Sequence, residues 1–277
     1  MGNRVYLAEL GQQAVAILEA GCYESPSGQT VQIREDLARA VEETRLYHPD
    51  GFGHEAPAPL AGETVIEVTS ESTIAAARRL NAASTGCAPC CLNFASARHP
   101  GGGFLSGARA QEESLARSSG LYASLIRMRE MYDYNRGRST CLYSDYMIWS
   151  PRVPVFRDET WMLLETPFLA SFITAPAVNA GALHPHERVQ IEPTMRRRAE
   201  KVLRLAYRQD ARTLVLGAWG CGVFRNDPAM VASLFAGLLR PRGLFHNVFE
   251  KVVFAVLDFT PDQGTLGAFR SRFPIRP

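Results

Sequence analysis

The chain of 277 residues is 46% hydrophobic, which is enough for the core of a sizeable α/β domain. Its formal net charge of +2 gives no reason to expect a nucleic-acid-binding surface. No apolar run reaches membrane-spanning length and the first residues carry no secretion signal, so we expect a cytoplasmic protein that binds neither nucleic acid nor a membrane.

Residues 1–62 are predicted to form an accessory N-terminal region that packs on a main domain, residues 63–277. Apolar residues at helical spacing predict a helix over residues 4–20, and a second helix is predicted over residues 34–46 after a turn and a short strand. Residues 47–62 are rich in proline and are predicted as a loop. No low-complexity linker intervenes, so we expect the two parts to stay packed together.

The main domain begins with a β-branched run at residues 64–69, which predicts a strand. The polar residues that follow can cap a helix over residues 74–83. The carboxyl ends of strands in α/β sheets face ligand sites, so the end of this strand is a candidate ligand contact, and plain helix capping is the alternative.

Three consecutive glycines, Gly101, Gly102 and Gly103, lie between a predicted buried strand at residues 90–94 and a predicted helix over residues 111–128. Backbone without Cβ atoms can approach a phosphate or a ribose closely. A strand, a glycine loop and a helix form the layout of a nucleotide site.

Two adjacent carboxylates, Glu112 and Glu113, lie in the first turn of that predicted helix. Negative charge suits the positive end of the helix dipole, so a purely structural explanation is available. The neighbouring glycine loop favours catalysis, because it would hold a sugar phosphate ligand beside the same helix start.

Two short strands around Pro151 are predicted to lie at a sheet edge. The remaining predicted elements are strands at residues 168–174, 212–217 and 251–257 and helices over residues 188–209, 228–239 and 263–273. Strands that alternate with helices predict an α/β sandwich with a mixed sheet.

A second glycine loop, residues 217–228, follows a predicted buried strand, and its free amides could form an anion-binding nest. His184, His186 and Glu187 suggest a metal, but Pro185 intervenes and a further partner is missing. The cysteines show no second paired cluster. We therefore expect no metal and no cofactor.

The triplet Gly101-Gly102-Gly103, seven residues and then Gln111-Glu112-Glu113 resembles the signature of poly(ADP-ribose) glycohydrolases. Residues 93–119 resemble the bacterial-type branch of that family, and residues 217–228 resemble its diphosphate loop. The resemblance extends over residues 64–272 and implies a macrodomain-like three-layer sandwich with a mixed central sheet, to which the N-terminal helical extension is added.

The function implied by the resemblance is hydrolysis of the ribose-ribose O-glycosidic bonds of poly(ADP-ribose), which releases ADP-ribose. Glu113 would be the general acid and base, and Glu112 would bind and orient ribose hydroxyls. The expected partners are poly(ADP-ribose), ADP-ribose and ADP-ribosylated proteins. The residues expected to contact substrate are Asn93, Gly101, Gly102, Gly103, Gln111, Gly220, Cys221, Gly222, Val223, Phe224, Thr69, Glu71 and Asn179.

Four of these substrate contacts have a structural alternative. Thr69 and Glu71 would lie near adenine by resemblance to macrodomains, or would only cap a helix. Asn179 is followed two residues later by a glycine and could simply form a turn. Phe224 could lie over a sugar or belong to the core.

Two other functions remain open. A non-catalytic ADP-ribose-binding macrodomain, a reader of modified proteins, would need both glycine loops but not the paired glutamates. A nicotinamide oxidoreductase is disfavoured, because neither loop has the spacing Gly-x-Gly-x-x-Gly after a first strand.

Overall fold

The computed structural model describes residues 3–83 and 87–274 of the chain. The α-helices in these residues are α1 Asn3–Ala20, α2 Arg34–Glu43, α3 Thr73–Ala83, α4 Gln111–Ser118, α5 Leu121–Leu125, α6 Arg129–Arg136, α7 Ile191–Arg208, α8 Pro228–Leu239 and α9 Gly264–Arg272. The strands are β1 Cys22–Glu24, β2 Thr30–Gln32, β3 Arg45–Tyr47, β4 Val65–Thr69, β5 Cys90–Phe94, β6 Met147–Arg157, β7 Leu163–Ala175, β8 Thr213–Leu216 and β9 Lys251–Ala255.

Within the described residues, seven of these strands form one mixed sheet in the order β3-β6-β7-β5-β8-β9-β4. The neighbours from β7 to β4 are all parallel, and β3 and β6 are antiparallel to their neighbours. The carboxyl ends of five strands therefore meet at one edge of the sheet, where ligand sites of open α/β sheets lie.

Successive residues of the central strands face two separate cores. Leu92 and Phe254 face the core that the sheet forms with α7, α8 and α9. Their chain neighbours Cys91 and Val253 face the core formed with α3, α4 and α5. The sheet is thus covered by helices on both faces, and the predicted α/β sandwich with a mixed central sheet is confirmed.

The N-terminal region packs on the β6 side of the molecule. Ile17 of α1 and Tyr23 of β1 share a small core with Phe156 of β6. The residues predicted as the end of a helix up to residue 46 instead form β3, which pairs with β6 in the main sheet. The division of the chain at residue 62 stays a prediction. Among the described helices, none combines the length and apolarity needed to cross a bilayer.

The prediction of two short edge strands around Pro151 is wrong. Residues 147–157 form one long strand that pairs with β3 and β7, so it lies inside the sheet. The register shifts between Ser150 and Val153. A proline is tolerated at such a bulge because no ladder hydrogen bond is needed there.

The single helix predicted over residues 111–128 is also wrong, because the chain is extended at Ser119. Ser119 bridges to Val155, and the N–H of Gly120 donates to Pro154 O at 2.9 Å. A Cβ on Gly120 would lie 2.7 Å from Leu37 Cδ1. Close packing against β6 and α2 therefore ends α4 before α5 begins.

Candidate active site

The first glycine loop turns back from the end of β5 onto the start of α4. Gly101 and Gly102 have positive φ values of 71° and 59°, which favour glycine. The N–H of Gly103 donates to Glu113 Oε1 at 2.9 Å. A Cβ on Gly102 would lie 2.8 Å from Glu113 Cδ and 3.2 Å from Glu112 Oε2. The loop and both carboxyl groups are thus packed against each other with no room for a side chain.

Glu112 is enclosed beneath this loop, with 2% of its surface exposed. Its Oε2 accepts from the N–H of Ser96 at 2.6 Å, and its Oε1 accepts from Asn93 Nδ2 at 3.3 Å. Burial raises the pKa of Glu112 to about 8, the negative charge of Glu113 adds to the rise, and the hydrogen bonds from Ser96 and Asn93 oppose it. The carboxyl of Glu112 is therefore mostly protonated at neutral pH.

The side chain of Gln111 holds the first turn of α4 against β5. Its Oε1 accepts from the N–H of Phe94 at 2.9 Å, and its Nε2 donates to Leu92 O at 2.8 Å and to Thr73 Oγ1 at 3.1 Å. The side-chain amide of Gln111 is thus hydrogen-bonded to other groups of the protein. Its predicted contact with substrate stays a prediction, and its observed bonds position the two glutamates that follow it.

Asn93 is fully buried at the end of β5. Its Nδ2 donates to Thr174 Oγ1 at 3.1 Å as well as to Glu112. Its Oδ1 has no hydrogen-bond partner among the described residues. A buried acceptor left open in this way suits a ligand hydroxyl.

Arg117, which the sequence reasoning missed, lies one helical turn after Glu113 and is fully buried. Its Nη2 donates to Phe104 O and Ala108 O, each at 2.7 Å, and its Nε donates to Leu7 O at 2.8 Å. Desolvation lowers the pKa of Arg117, and the charge of Glu113 opposes this. One arginine therefore ties α1 of the N-terminal region to the segment after the glycine loop.

The second glycine loop follows β8 at the same edge of the sheet. Gly220 has a positive φ of 75°, and a Cβ there would lie 2.5 Å from Ala177 Cβ. Asn226 Nδ2 fixes the loop by donating to Val178 O at 2.7 Å and to Gly220 O at 3.1 Å. A Cβ on Gly222 would meet nothing within 4 Å. Gly220 is thus required by the loop itself, whereas Gly222 faces open space.

The neighbours of Gly222 differ in exposure. Val223 is 75% exposed. Cys221 is mostly enclosed, and burial raises the pKa of its thiol to about 12, so it is not a reactive thiolate. The thiol of Cys221 is therefore unreactive, and the backbone of this loop is the part available to a ligand.

Phe224 and Asn179 meet at Tyr143, a second residue that the sequence reasoning missed. The ring centroids of Phe224 and Tyr143 lie 6.0 Å apart. Burial raises the pKa of the Tyr143 hydroxyl, and the side chain of Asn179 opposes this rise. Arg98 Cζ lies 5.7 Å from the Tyr143 ring centroid. Tyr143 therefore joins the segments after β5, β7 and β8, which are far apart in sequence.

Thr69 ends β4 at the same sheet edge, and Glu71 follows two residues later. The Thr69 hydroxyl is buried without a hydrogen-bond partner among the described residues. The Glu71 carboxylate accepts from Arg79 Nη2 at 2.7 Å. Glu71 is thus held in an ion pair, and the Thr69 hydroxyl is available to a ligand.

The described residues contain no group of three or more His, Cys, Asp and Glu side chains that could hold a metal ion. The rings of His184 and His186 stack with centroids 5.8 Å apart. The Glu187 carboxylate accepts from the N–H of His184 at 3.0 Å, and this bond caps the start of a short 3-10 helix. It also accepts from Thr140 Oγ1. Its acceptor capacity is thus used by the protein itself.

A family model for the catalytic domain of microbial-type poly(ADP-ribose) glycohydrolase matches residues 11–158. The structure of the poly(ADP-ribose) glycohydrolase from Thermomonospora curvata is 49% identical and superposes with a TM-score of 0.93, covering 98% of this chain and 100% of that chain. The same protein bound to the inhibitor ADP-HPD is 50% identical, with a TM-score of 0.92 and the same coverage of 98% and 100%. The poly(ADP-ribose) glycohydrolase from Deinococcus radiodurans in complex with ADP-ribose is 47% identical, with a TM-score of 0.80, over 86% of this chain and 97% of that one. No curated protein matches the chain significantly.

Proposed function

The chain belongs to the microbial-type poly(ADP-ribose) glycohydrolase family, and from this membership we propose that it hydrolyses the ribose-ribose O-glycosidic bonds of poly(ADP-ribose) and releases ADP-ribose. The resemblance expected from the glycine and glutamate motifs is thereby confirmed. The observation that supports this chemistry is the pair Glu112 and Glu113. Both carboxyl groups pack against Gly102 so closely that no side chain would fit at that position.

Glu113 is the proposed catalytic residue. Its carboxyl gives a proton to the departing ribose oxygen as the glycosidic C–O bond breaks, and the sugar left behind has oxocarbenium-like character. The resulting carboxylate then takes a proton from the water that adds to the sugar carbon, which restores the acid. The hydrogen bond from the Gly103 N–H fixes one carboxyl oxygen during both steps.

Glu112 is proposed to bind and orient a ribose hydroxyl. Its pKa of about 8 keeps a proton on the glutamate pair near neutral pH, which an acid-catalysed step requires. Its position is set by Asn93 and Ser96, so it is a rigid partner for the sugar. The free Oδ1 of Asn93 is a further acceptor for a ribose hydroxyl.

The ADP-ribose unit is proposed to lie along the carboxyl edge of the sheet. Its diphosphate would approach the backbone of residues 220–224, where Gly222 leaves open space. Its adenine would extend toward Thr69 and Glu71 at the end of β4. Its distal ribose would lie between Phe224 and Glu113. The negative diphosphate could then stabilise positive charge developing on that ribose.

ADP-ribosylated proteins are the proposed carriers of this polymer, and the cytoplasm is the compartment we propose from composition. The alternative reader function would need the same ligand site. Nothing in such a site would require two adjacent carboxyl groups, one of them buried at a cost in free energy, and this favours the enzyme.

The direct test is incubation of the purified protein with poly(ADP-ribose), with chromatography of the soluble products. We expect free ADP-ribose to accumulate with time. Polymer that is bound by folded protein but stays intact would contradict hydrolysis and support the reader.

A further inference from the structure

A connected series of aromatic rings and arginines begins beside Phe224 and leads toward β6, and in it Tyr143 and Tyr146 are buried whereas Tyr134 is exposed. We call it the aromatic-arginine track, and its members are Tyr143, Arg98, Arg138, Tyr134 and Tyr146. Its inner end is Tyr143, whose ring centroid lies 6.0 Å from that of Phe224. The guanidinium of Arg98 lies next, 5.7 Å from the Tyr143 ring centroid.

The outer half of the track is built around Arg138. Arg98 Nη2 donates to Arg138 O at 3.4 Å. The guanidinium of Arg138 lies 5.6 Å from the ring centroid of Tyr134, and its Nη1 donates to the Tyr134 hydroxyl at 3.2 Å. The Tyr134 and Tyr146 ring centroids are 5.2 Å apart. Tyr134 is 46% exposed, so one face of this cluster is open to a ligand.

The track carries positive charge that the protein does not neutralise. Among the described residues, Arg98 and Arg138 form no ion pair within 4.0 Å, and the Nε atom of each is buried without a hydrogen-bond partner. The nearby acidic groups have other partners, because Asp133 pairs with Arg136 and Glu130 accepts from the Tyr146 hydroxyl at 2.8 Å. The positive charge of these two guanidinium groups is therefore left uncompensated and favours a nearby anion.

The topology places the track on the leaving side of the cleaved bond. In the sheet, β8, β9 and β4 lie on one side of β5, and β7 and β6 lie on the other. The ADP-ribose unit that is released would extend over the first side, toward Thr69. The track lies over the second side, along α6 and the segment that enters β6. A polymer that passes Glu113 would therefore continue onto the track.

We propose that the aromatic-arginine track binds the diphosphate and adenine of the ADP-ribose units beyond the cleaved bond. This inference rests on the proposed function and adds a second contact region for its substrate. Exposed aromatic rings stack on bases of any sequence, and arginine matches phosphate oxygens with two parallel hydrogen bonds. The polymer presents both groups at every repeat, whereas free ADP-ribose is too short to reach the track and the cleft together.

The test compares long poly(ADP-ribose) with free ADP-ribose in binding assays on Glu113→Gln protein, so that the polymer stays intact. The double variant Tyr134→Ala/Arg138→Gln removes one stacking ring and one cation. We expect its affinity for long polymer to fall about tenfold or more, since one base stack alone contributes on that order. We expect its affinity for ADP-ribose to stay unchanged, and the salt dependence of polymer binding to become weaker.

Arg240→Gln is the matched control, because Arg240 follows α8 and lies toward the opposite edge of the sheet. It removes the same charge and should leave polymer affinity unchanged. Unchanged polymer affinity in the double variant would overturn the proposal. So would an equal loss for ADP-ribose or for Arg240→Gln. Release of ADP-ribose by protein with native Glu113 is measured separately, so a failure of the proposed function is distinguished from a failure of the track.

Discussion

Replacement of Gly102 by alanine should inactivate the protein through a single methyl group. The added Cβ would lie 2.8 Å from Glu113 Cδ and 3.2 Å from Glu112 Oε2, and closer still to Glu113 Oε1. The Glu113 carboxyl must therefore move, and its 2.9 Å hydrogen bond from Gly103 would be lost or lengthened. Misplacement of a reacting group by about 1 Å can cost about 10²-fold in rate.

The expected result for Gly102→Ala is therefore a turnover number lower by about 10²-fold or more. The positive φ of 59° adds backbone strain of about 1–2 kcal/mol. For a chain of this size each kcal/mol lowers Tm by about 2–4 °C. Released ADP-ribose and thermal unfolding would be measured on the same preparations.

Gly28→Ala is the matched control for that strain. Gly28 also has a positive φ, of 79°, but a Cβ there would meet nothing within 4 Å. It should lower Tm to a similar extent and leave turnover unchanged. Wild-type turnover in Gly102→Ala, or an equal loss of turnover in Gly28→Ala, would refute the reasoning.

Three further outcomes are expected. The pKa of Glu112 is raised by burial from 4.5 to about 8, so its protonated form contributes stability that is complete below about pH 4.5 and is lost as pH rises through about 8. Between about pH 5 and pH 9, the Tm of Glu112→Gln should therefore fall less than the Tm of the wild type. An equal fall in Tm for the two proteins would contradict the burial effect. Gly222→Val should weaken ADP-ribose binding in calorimetry with little change in Tm, whereas Gly220→Val should unfold at a lower temperature because its Cβ would lie 2.5 Å from that of Ala177. An unchanged affinity in Gly222→Val would remove this loop from the site. Turnover should survive extensive chelation, and loss of activity that added zinc or magnesium restores would show that the proposed acid chemistry is incomplete.

The sequence predicted the parts of the fold in which local pattern and final packing agree. The apolar run at residues 90–94 forms β5, and the helix predicted from residue 228 begins there, where Asp227 caps it by accepting from the N–H of Ala229 at 2.9 Å. The failures occurred where tertiary contacts override local pattern. Pro151 lies inside the sheet because a bulge there accommodates it. Gly120 packs closely against Leu37, at a point where a continuous helix was predicted.

The candidate site shows the same limit. The glycine triplet and the two glutamates are readable because they are contiguous in sequence. Arg117 and Tyr143 were missed because their partners lie in distant segments, such as Leu7 for Arg117. Adjacent positions in a helix turn also do not reveal which glutamate is buried. Burial of Glu112 depends on Asn93 and on the Ser96 backbone, which only the folded chain brings to it.

The most direct test of the proposed mechanism compares Glu113→Gln with Glu112→Gln and wild type, by polymer turnover and by ADP-ribose binding. Glu113→Gln keeps the shape of the side chain but cannot transfer the proton, so turnover should fall by about 10⁴-fold, the upper end for a general acid and base, while ADP-ribose still binds. Glu112→Gln should be milder in rate, with a larger share of its defect in binding. Release of ADP-ribose by Glu113→Gln at near the wild-type rate would contradict the account.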